Sequence, residues 1–309
     1  MNRLRYRRPF IVSAAVLSAA SFTACSDSSI ERVLANDTGG YTFDDFAGRT
    51  FPIYFARGEE GENLDDRAET DAGIGEVKII SETELEATIP GLGTFLFTCG
   101  AGLCTADDVD GEGGIIQVEL EDFGPIGFAY SGIPGFLPDE QPFFGLFGFE
   151  TPVDQRPAAT ASYNDEGFGV LFIEITGSDN ATIDRLSCLG CVALEADFAA
   201  GTIDGVVFDG AGEDAVGGTL SATNTLDGEI TSTGFTGTIT ADIDYTPDGG
   251  DPLGLTNELS NQEVIGRFFG SEGEIAGVAY DADILINGGE TSFEGSMAGA
   301  SLGADTSLE

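Results

Sequence analysis

Apolar and polar residues alternate at every second position over most of this chain. The clearest example runs from Phe235 to Tyr245, where apolar residues or glycine alternate with threonine or aspartate. The same pattern runs from Val192 to Phe198, with Glu195 and Asp197 on the opposite face. A two-residue period places one face of a strand on a core and the other in water. Helical periodicity is nearly absent beyond the N-terminal segment, so the chain is predicted to be all-β.

Gly, Asp and Pro divide the alternating stretches at turns, which predicts two series of strands. The N-terminal strands are predicted at 51–56, 76–81, 84–89, 94–98, 115–120 and 125–130. The C-terminal strands are predicted at 158–164, 168–176, 192–198, 202–208, 217–223, 235–245, 262–269, 273–280 and 291–298. Eight or nine consecutive antiparallel strands close on themselves most economically, because closure removes exposed edges. We therefore predict an eight-stranded antiparallel β-barrel preceded by a smaller β-rich domain.

A membrane-spanning barrel is the alternative closed sheet. Its strands need about 9–11 residues to cross a bilayer, and aromatic girdles mark both interfaces. Most of the predicted strands are nearer about eight residues, and no girdles are evident in the sequence. The pattern therefore favours a soluble barrel with a filled interior.

The first 24 residues have the organisation of a targeting segment. A basic region precedes an apolar stretch at 10–20, and Phe22-Thr23-Ala24-Cys25 is similar to a bacterial lipobox. We predict a lipoprotein signal peptide over 1–24, acylation of Cys25 as the membrane anchor, and a tether over 25–40. Ser26 after the cysteine favours the outer membrane or cell surface. Ordinary signal cleavage near Ala24, with Cys25 unmodified, is the alternative.

The chain is strongly acidic and contains no histidine. It has 12 basic and 54 acidic residues, and four of the basic residues lie in the predicted signal peptide. The mature chain then has 8 basic and 54 acidic residues, a net charge of −46. Such a charge repels nucleic acid, which is excluded as a partner. Without histidine the chain has no Ser-His-Asp triad and no histidine-ligated metal or haem, so no cofactor and no enzymatic activity are predicted.

Four cysteines follow Cys25 as two local pairs, Cys99 with Cys104 and Cys188 with Cys191. Four cysteines allow three connectivities. Proximity favours a disulfide within each pair, which suits an oxidising envelope or exterior. A redox role for the second pair and a four-thiolate zinc site are the alternatives.

The alternation breaks between 131 and 150, where proline and phenylalanine accumulate. The prolines at 134, 138 and 142 cannot occupy central strands. The phenylalanines either pack across a junction between two domains or form an exposed patch for a partner. They are Phe136, Phe143, Phe144, Phe147 and Phe149. We predict a junction over 131–156, between a β-rich domain at 41–130 and the barrel domain at 157–309.

Candidate motifs for chemistry are weak. The acidic run at 107–111 departs from a calcium loop at both of its ends, so it is predicted to be a hairpin turn. Pairs of carboxylates that could act as the acid and base of a glycosidase are expected by chance among 54 acids, and nothing in the sequence distinguishes one pair. No metal site and no catalytic residue is predicted.

The segment from Gly266 to Val278 reads GRFFGSEGEIAGV. It predicts two adjacent strands joined by a short turn at 271–273, with Phe268 and Val264 facing inward and Gly266 and Gly277 permitting bends. Its pattern is Gly-x-Phe-Phe-Gly followed by Glu-x-x-Gly. The residues that make the pattern are Gly266, Phe268, Phe269, Gly270, Glu274 and Gly277.

This pattern resembles the β-barrel domain of transferrin-binding protein B and related bacterial surface lipoproteins. The segments at 159–163 and 196–207 are similar to the first strand and a hairpin of that barrel, in the same order, so the resemblance covers about 157–309. It implies a handle-like domain at the N-terminus and binding through variable loops, so no ligand-binding residue is carried over.

The resemblance implies a lipid-anchored protein that binds an unidentified protein or small-molecule ligand, in iron or haem acquisition, beside an outer-membrane receptor. A structural or assembly lipoprotein of the outer membrane is an alternative function. A secreted carboxylate-dependent hydrolase is a third.

Overall fold

The computed structural model describes most of the chain after residue 42. The described ranges are 43–59, 69–81, 83–100, 103–107, 113–121, 124–130, 143–176, 181–213, 218–246, 256–270, 272–288 and 291–305. These ranges form two antiparallel β-structures, and the chain is all-β as the alternation predicts. Within them, no helix has the length and apolar character needed to cross a membrane.

The first structure is a closed barrel of eight strands in chain order, in which β8 pairs back with β1. A 3₁₀ turn at Phe43–Phe46 precedes it. The strands are β1 (Thr50–Glu59), β2 (Glu69–Ser81), β3 (Glu84–Ile89), β4 (Gly93–Gly100), β5 (Leu103–Asp107), β6 (Gly113–Glu121), β7 (Gly124–Tyr130) and β8 (Phe143–Gly148).

The second structure contains nine strands and also closes. Strand β9 pairs with β17 along one edge and with β10 and then β11 along the other. From β11 to β17 each strand pairs with the next. The strands are β9 (Thr160–Thr176), β10 (Ala181–Leu189), β11 (Ala193–Asp197), β12 (Thr202–Glu213), β13 (Thr219–Ile230), β14 (Phe235–Thr246), β15 (Thr256–Phe269), β16 (Ile275–Gly288) and β17 (Thr291–Asp305).

Strands β10 and β11 are two parts of one interrupted strand. Leu189 pairs with Phe168 and Leu194 pairs with Tyr163, so five positions separate the pairs on both strands. The interruption therefore does not change the register. The ring around the second barrel has eight strand positions, as predicted.

Several boundaries differ from the sequence-based expectation. The strands predicted at 158–164 and 168–176 are one strand, because β17 pairs along nearly all of β9. Strands β5, β8 and β10 were not predicted. Apart from β10 and β11, the strands of the second barrel are 12 to 17 residues long, so the expectation of short strands is wrong.

Strand β8 lies inside the stretch predicted as a junction. The prolines that broke the pattern all precede it, and Phe143–Gly148 contains no proline. Closure of the first barrel uses these residues because β8 pairs with both β7 and β1. Phe143, Phe144 and Phe147 are buried, and Phe136 lies outside the described residues.

Three clusters of buried apolar side chains hold the structure together. One fills the second barrel, and another fills the first. The third lies between the barrels and takes side chains from both. Leu171 and Ile173 of β9 point into the second barrel, whereas Phe172 between them points to the first. Strands with both faces buried explain the apolar runs in β9, β16 and β17.

Candidate functional site

The Gly266–Val278 segment forms the end of β15, a turn and the start of β16. Gly266 pairs with Val278 and Phe268 pairs with Ala276 across the two strands. Phe268 and Val264 are buried in the interior of the second barrel, which confirms the predicted orientation. The ring of Phe268 lies 5.0 Å from that of Phe198 and 5.1 Å from that of Phe235, measured between centroids.

Two glycines of this segment are required by close packing. A methyl group at Gly266 would lie 2.1 Å from two ring carbons of Phe235. A methyl group at Gly277 would lie 2.8 Å from Leu146 Cδ1, on β8 of the first barrel. The structure therefore gives these two glycines a role in packing, whereas the sequence predicted that they permit bends. Gly266 admits a ring inside the barrel, and Gly277 admits a side chain from the neighbouring barrel.

The contact between the barrels is an apolar cluster whose two sides differ in shape. The first barrel contributes larger side chains, among them Tyr54, Phe144 and Leu146. The second barrel contributes Phe172 and Phe269 together with small residues of β16 and β17, which are Ala279, Ala298 and Ala300. All of these side chains are buried. Small residues allow the strands of one barrel to approach the large side chains of the other.

A charged group borders this contact on one side. The Arg267 guanidinium lies 4.3 Å from the ring centroid of Tyr54, and Arg267 Nε lies 3.8 Å from Glu150 Oε2. Tyr54 donates a hydrogen bond of 2.5 Å to Glu150 Oε1. Burial, followed by the bond to Glu150, raises the pKa of Tyr54. This hydroxyl therefore remains a donor. Through Glu150, the side chains of Tyr54 and Arg267 connect β1 of the first barrel to β15 of the second.

Backbone bonds complete this connection. Glu150 forms an isolated antiparallel bridge with Phe269, and Thr151 N donates to Phe268 O at 2.9 Å. Gly270 N donates to Phe149 O at 2.8 Å, and the buried Thr151 hydroxyl donates to Gly270 O at 2.8 Å. The chain that leaves the first barrel is thus bonded directly to the Gly-x-Phe-Phe-Gly pattern.

Arg156 covers the same end of the second barrel. Its guanidinium lies 5.3 Å from the ring centroid of Phe268, and Nη1 donates to Thr231 O at 2.6 Å. Burial and the charge of Arg267 lower the pKa of Arg156. Two of the few arginines in the chain therefore lie at the end of the barrel that carries the motif.

The opposite border of the contact carries a buried acid. Asp281 of β16 lies on the same face as Ala279, and its strand neighbours Tyr280 and Ala282 point into the barrel. Asp281 is 8% exposed, and its Oδ1 has no hydrogen-bond partner. Burial, then the charges of Glu263, Asp71 and Asp283, raise the pKa of Asp281 to about 7.

Asn224 and Tyr280 form a polar pair in the interior of the second barrel. Asn224 Nδ2 donates to the Tyr280 hydroxyl at 2.9 Å, and both residues are fully buried. Burial raises the pKa of Tyr280, so the hydroxyl stays neutral. Across the described ranges, no group of three or more Cys, Asp or Glu side chains is arranged to hold a metal ion. The pair is a structural element of the core.

The predicted cysteine pairs form disulfides in the structure. Cys99–Cys104 joins β4 to β5, and Cys188–Cys191 joins the end of β10 to the interruption before β11. Cys188 and Cys191 pack against the interior of the second barrel. Both bonds are within the local pairs that the spacing favours. Cys25 lies outside the described residues.

Sequence reasoning missed the residues that join the barrels. Tyr54, Glu150 and Arg267 are far apart in the chain, and no local period connects them. One signal was present, because apolar residues occupy both odd and even positions over 275–286, in and beyond the strand predicted at 273–280. A strand that is apolar on both faces is buried on both sides. In that run Asp281 stands out as a charged residue at a buried position.

No family model matches the chain, and no curated protein matches it. Among solved structures, the chain is similar to the vaccine antigen transferrin-binding protein B from Haemophilus parasuis Hp5, in a double-mutant and a single-mutant form. Each shows 14% identity and a TM-score of 0.40, covering 81% of this chain and 45% of that chain. Intact Ap-TbpB, with N and C lobes, shows 12% identity and a TM-score of 0.29, covering 84% of this chain and 78% of that chain.

This chain spans less than half the length of the Haemophilus parasuis structures. Similarity at these identities and TM-scores does not establish a family for it.

Proposed function

We propose that this chain is a non-enzymatic lipoprotein of the bacterial outer surface, anchored through acylated Cys25, that binds a protein ligand on its outer face. The observation that carries the proposal is that side chains fill both barrels. Phe55 and Phe97 lie inside the first barrel, and Phe208 and Phe268 lie inside the second. A filled barrel offers its outer strands and loops for binding, and not a central cavity.

The outer face of the second barrel is acidic, which favours a ligand with a basic surface. Glu195, Asp204 and Asp227 lie in one cross-strand row on β11, β12 and β13, and all three are exposed. Neighbouring outward positions on β14 carry Thr238 and Asp242. Together with the net charge of the mature chain, this face would attract a basic protein and speed its association at low salt.

The resemblance of the Gly266–Val278 segment guides the choice of probes and identifies no particular ligand. It suggests transferrin, haemoglobin and haem as the first probes, in iron or haem acquisition beside an outer-membrane receptor. The small-molecule possibility is therefore tested with haem and the protein possibility with the other two probes.

The test uses bacterial cells that produce the full chain or its Cys25→Ser variant. We expect the wild-type protein to remain with the outer membrane and be accessible to added protease, and the variant to be released. Purified mature protein is then mixed with the three probes and with spent growth medium. We expect one protein to be retained, with binding that weakens as salt increases.

Matched charge reversals locate the binding face. Asp204→Lys/Asp227→Lys should weaken binding about tenfold or more, whereas Glu76→Lys/Glu84→Lys on the first barrel, with the same change in net charge, should not. Retention of no probe and no medium protein at micromolar concentration would contradict the binding function. An unchanged distribution of the Cys25→Ser variant would contradict the anchor.

A further inference from the structure

The border of the inter-barrel contact contains a carboxyl group with one buried oxygen that has no hydrogen bond. In the cross-strand row, Asp281 lies between Glu263 of β15 and Ala298 of β17. Ala298 is fully buried and belongs to the inter-barrel cluster. The Asp281 carboxyl is therefore directed at the contact between the barrels, and its Oδ1 is buried there without a hydrogen bond.

Among the described residues, the charges that act on Asp281 are all of its own sign. Glu263 approaches from β15, Asp283 from the same strand, and Asp71 from β2 of the first barrel. Arg57 of β1 forms an ion pair with Asp71, in which Arg57 Nη2 lies 3.2 Å from Asp71 Oδ2. Strands β17 and β9 contribute the uncharged residues Ala298 and Phe172 to the row. A backbone bond at Glu263 favours the ionised form, but burial and the three carboxylates dominate.

We propose that the contact between the two barrels is a pH-dependent latch, closed while Asp281 is protonated and loosened when Asp281 ionises. An unpaired carboxylate at a buried apolar contact is unfavourable, and water that enters the contact relieves this cost. The carboxylate of Asp71 lies across the contact, so ionisation also adds repulsion between the barrels. The inference is independent of the proposed binding function.

The direction of the pH dependence follows from the sign of the shift. In the closed state the pKa of Asp281 is about 7, raised from 3.8. An open contact returns the carboxyl to water, where it ionises near its ordinary pKa. The closed state therefore binds more protons between the two values, and closure weakens as the pH rises through this window. Below it closure is strongest, and above about pH 7 it no longer changes with pH.

Hydrogen exchange of the full mature chain tests the latch at about pH 5 and about pH 8.5, corrected for the intrinsic pH dependence of exchange. In the wild-type protein we expect protection in β1, β2 and β8 to fall by up to about a hundredfold at the higher pH, tenfold for each of the two pH units between about 5 and the pKa of about 7. Among the described residues, strands β3 and β4 contribute neither to the inter-barrel cluster nor to the charges that act on Asp281, unlike β2 with Asp71, and their protection should not change.

Asp281→Asn keeps the size of the side chain and removes the charge, so it should retain the high protection at both pH values. Asp242→Asn, at an exposed position of β14, should behave as wild type. The same pH response in Asp281→Asn would overturn the proposal. An equal loss in β3 and β4 would also overturn it, because the whole barrel would then be opening.

A second measurement covers the case in which Asp281→Asn fails to fold. Infrared spectra of the wild-type protein should show the carbonyl band of a protonated carboxyl at about pH 6, above the range in which ordinary carboxyls ionise. This band should disappear with a midpoint near pH 7, together with the protection in β2. Absence of the band at the lower pH would overturn the proposal.

Discussion

At Gly277 of β16, a side chain of the first barrel packs directly against the backbone of the second barrel. The Leu146 side chain of β8 occupies the space that a Cβ would need, and Phe269 lies beside it. Leu146 and Phe269 are both buried in the inter-barrel cluster. The resemblance treats Gly277 as part of a barrel motif, whereas its role in the structure is to receive a side chain from another barrel.

Gly277→Val should lower the free energy of unfolding by about 1–3 kcal/mol, because the new methyl groups overlap Leu146. In Gly277→Val/Leu146→Ala, the two losses should be less than additive by about 1 kcal/mol, since the second change removes the overlapping atoms. Urea unfolding measures both. Gly100→Val is the matched control, because no atom lies within 4 Å of a Cβ at Gly100. Full additivity would contradict the overlap.

Among the strands, the interrupted pair β10 and β11 shows how the second barrel tolerates a defect. Backbone pairing with β9 stops after Leu189 and resumes at Leu194. Gly190 N still donates to Gly167 O at 2.5 Å, and the Cys188–Cys191 disulfide joins the end of β10 to a residue inside the break. The disulfide therefore restrains the chain where regular pairing with β9 stops.

Replacement of both cysteines, Cys188→Ser/Cys191→Ser, should cost about 2 kcal/mol, because the closed loop is short. Hydrogen exchange should increase at 164–167 and 190–197 and leave β4 and β5 unchanged. The matched variant Cys99→Ser/Cys104→Ser should show the reverse, since that disulfide joins β4 to β5. Loss of protection at the same strands in both variants would show that the disulfides act only on global stability.

For the whole molecule, the essential feature is that two closed barrels share an apolar contact. Each barrel has its own core, and the third cluster joins them. The two faces of a single strand supply the core contact and the inter-barrel contact. On β8, Phe147 points into the first barrel, and Phe144 points to the second. The phenylalanines of the 131–150 stretch were expected either to pack across a junction or to form an exposed patch. Phe144 packs between the barrels and is not exposed.

We expect the wild-type chain to unfold in one calorimetric transition, because the shared contact couples the barrels. Phe144→Ala should weaken the contact and separate the transition into two. Phe147→Ala, three positions later on the same strand, should destabilise the first barrel by about 3–5 kcal/mol without uncoupling it through the contact. Two transitions in the wild-type protein, or the same profile in both variants, would contradict the coupling.

The sequence by itself determined the strand class, most strand positions, the inward orientation of Val264 and Phe268, and the pairing of neighbouring cysteines. Each of these depends on a two-residue period or on proximity in the chain, which local sequence encodes. The tertiary structure decided that β8 closes the first barrel and that β9 is continuous. It also placed Asp281 at the contact with the first barrel, where the charge of Asp71 acts on it. These features depend on pairings and packing between distant segments, and the period of one strand contains no information about which surface covers its second face.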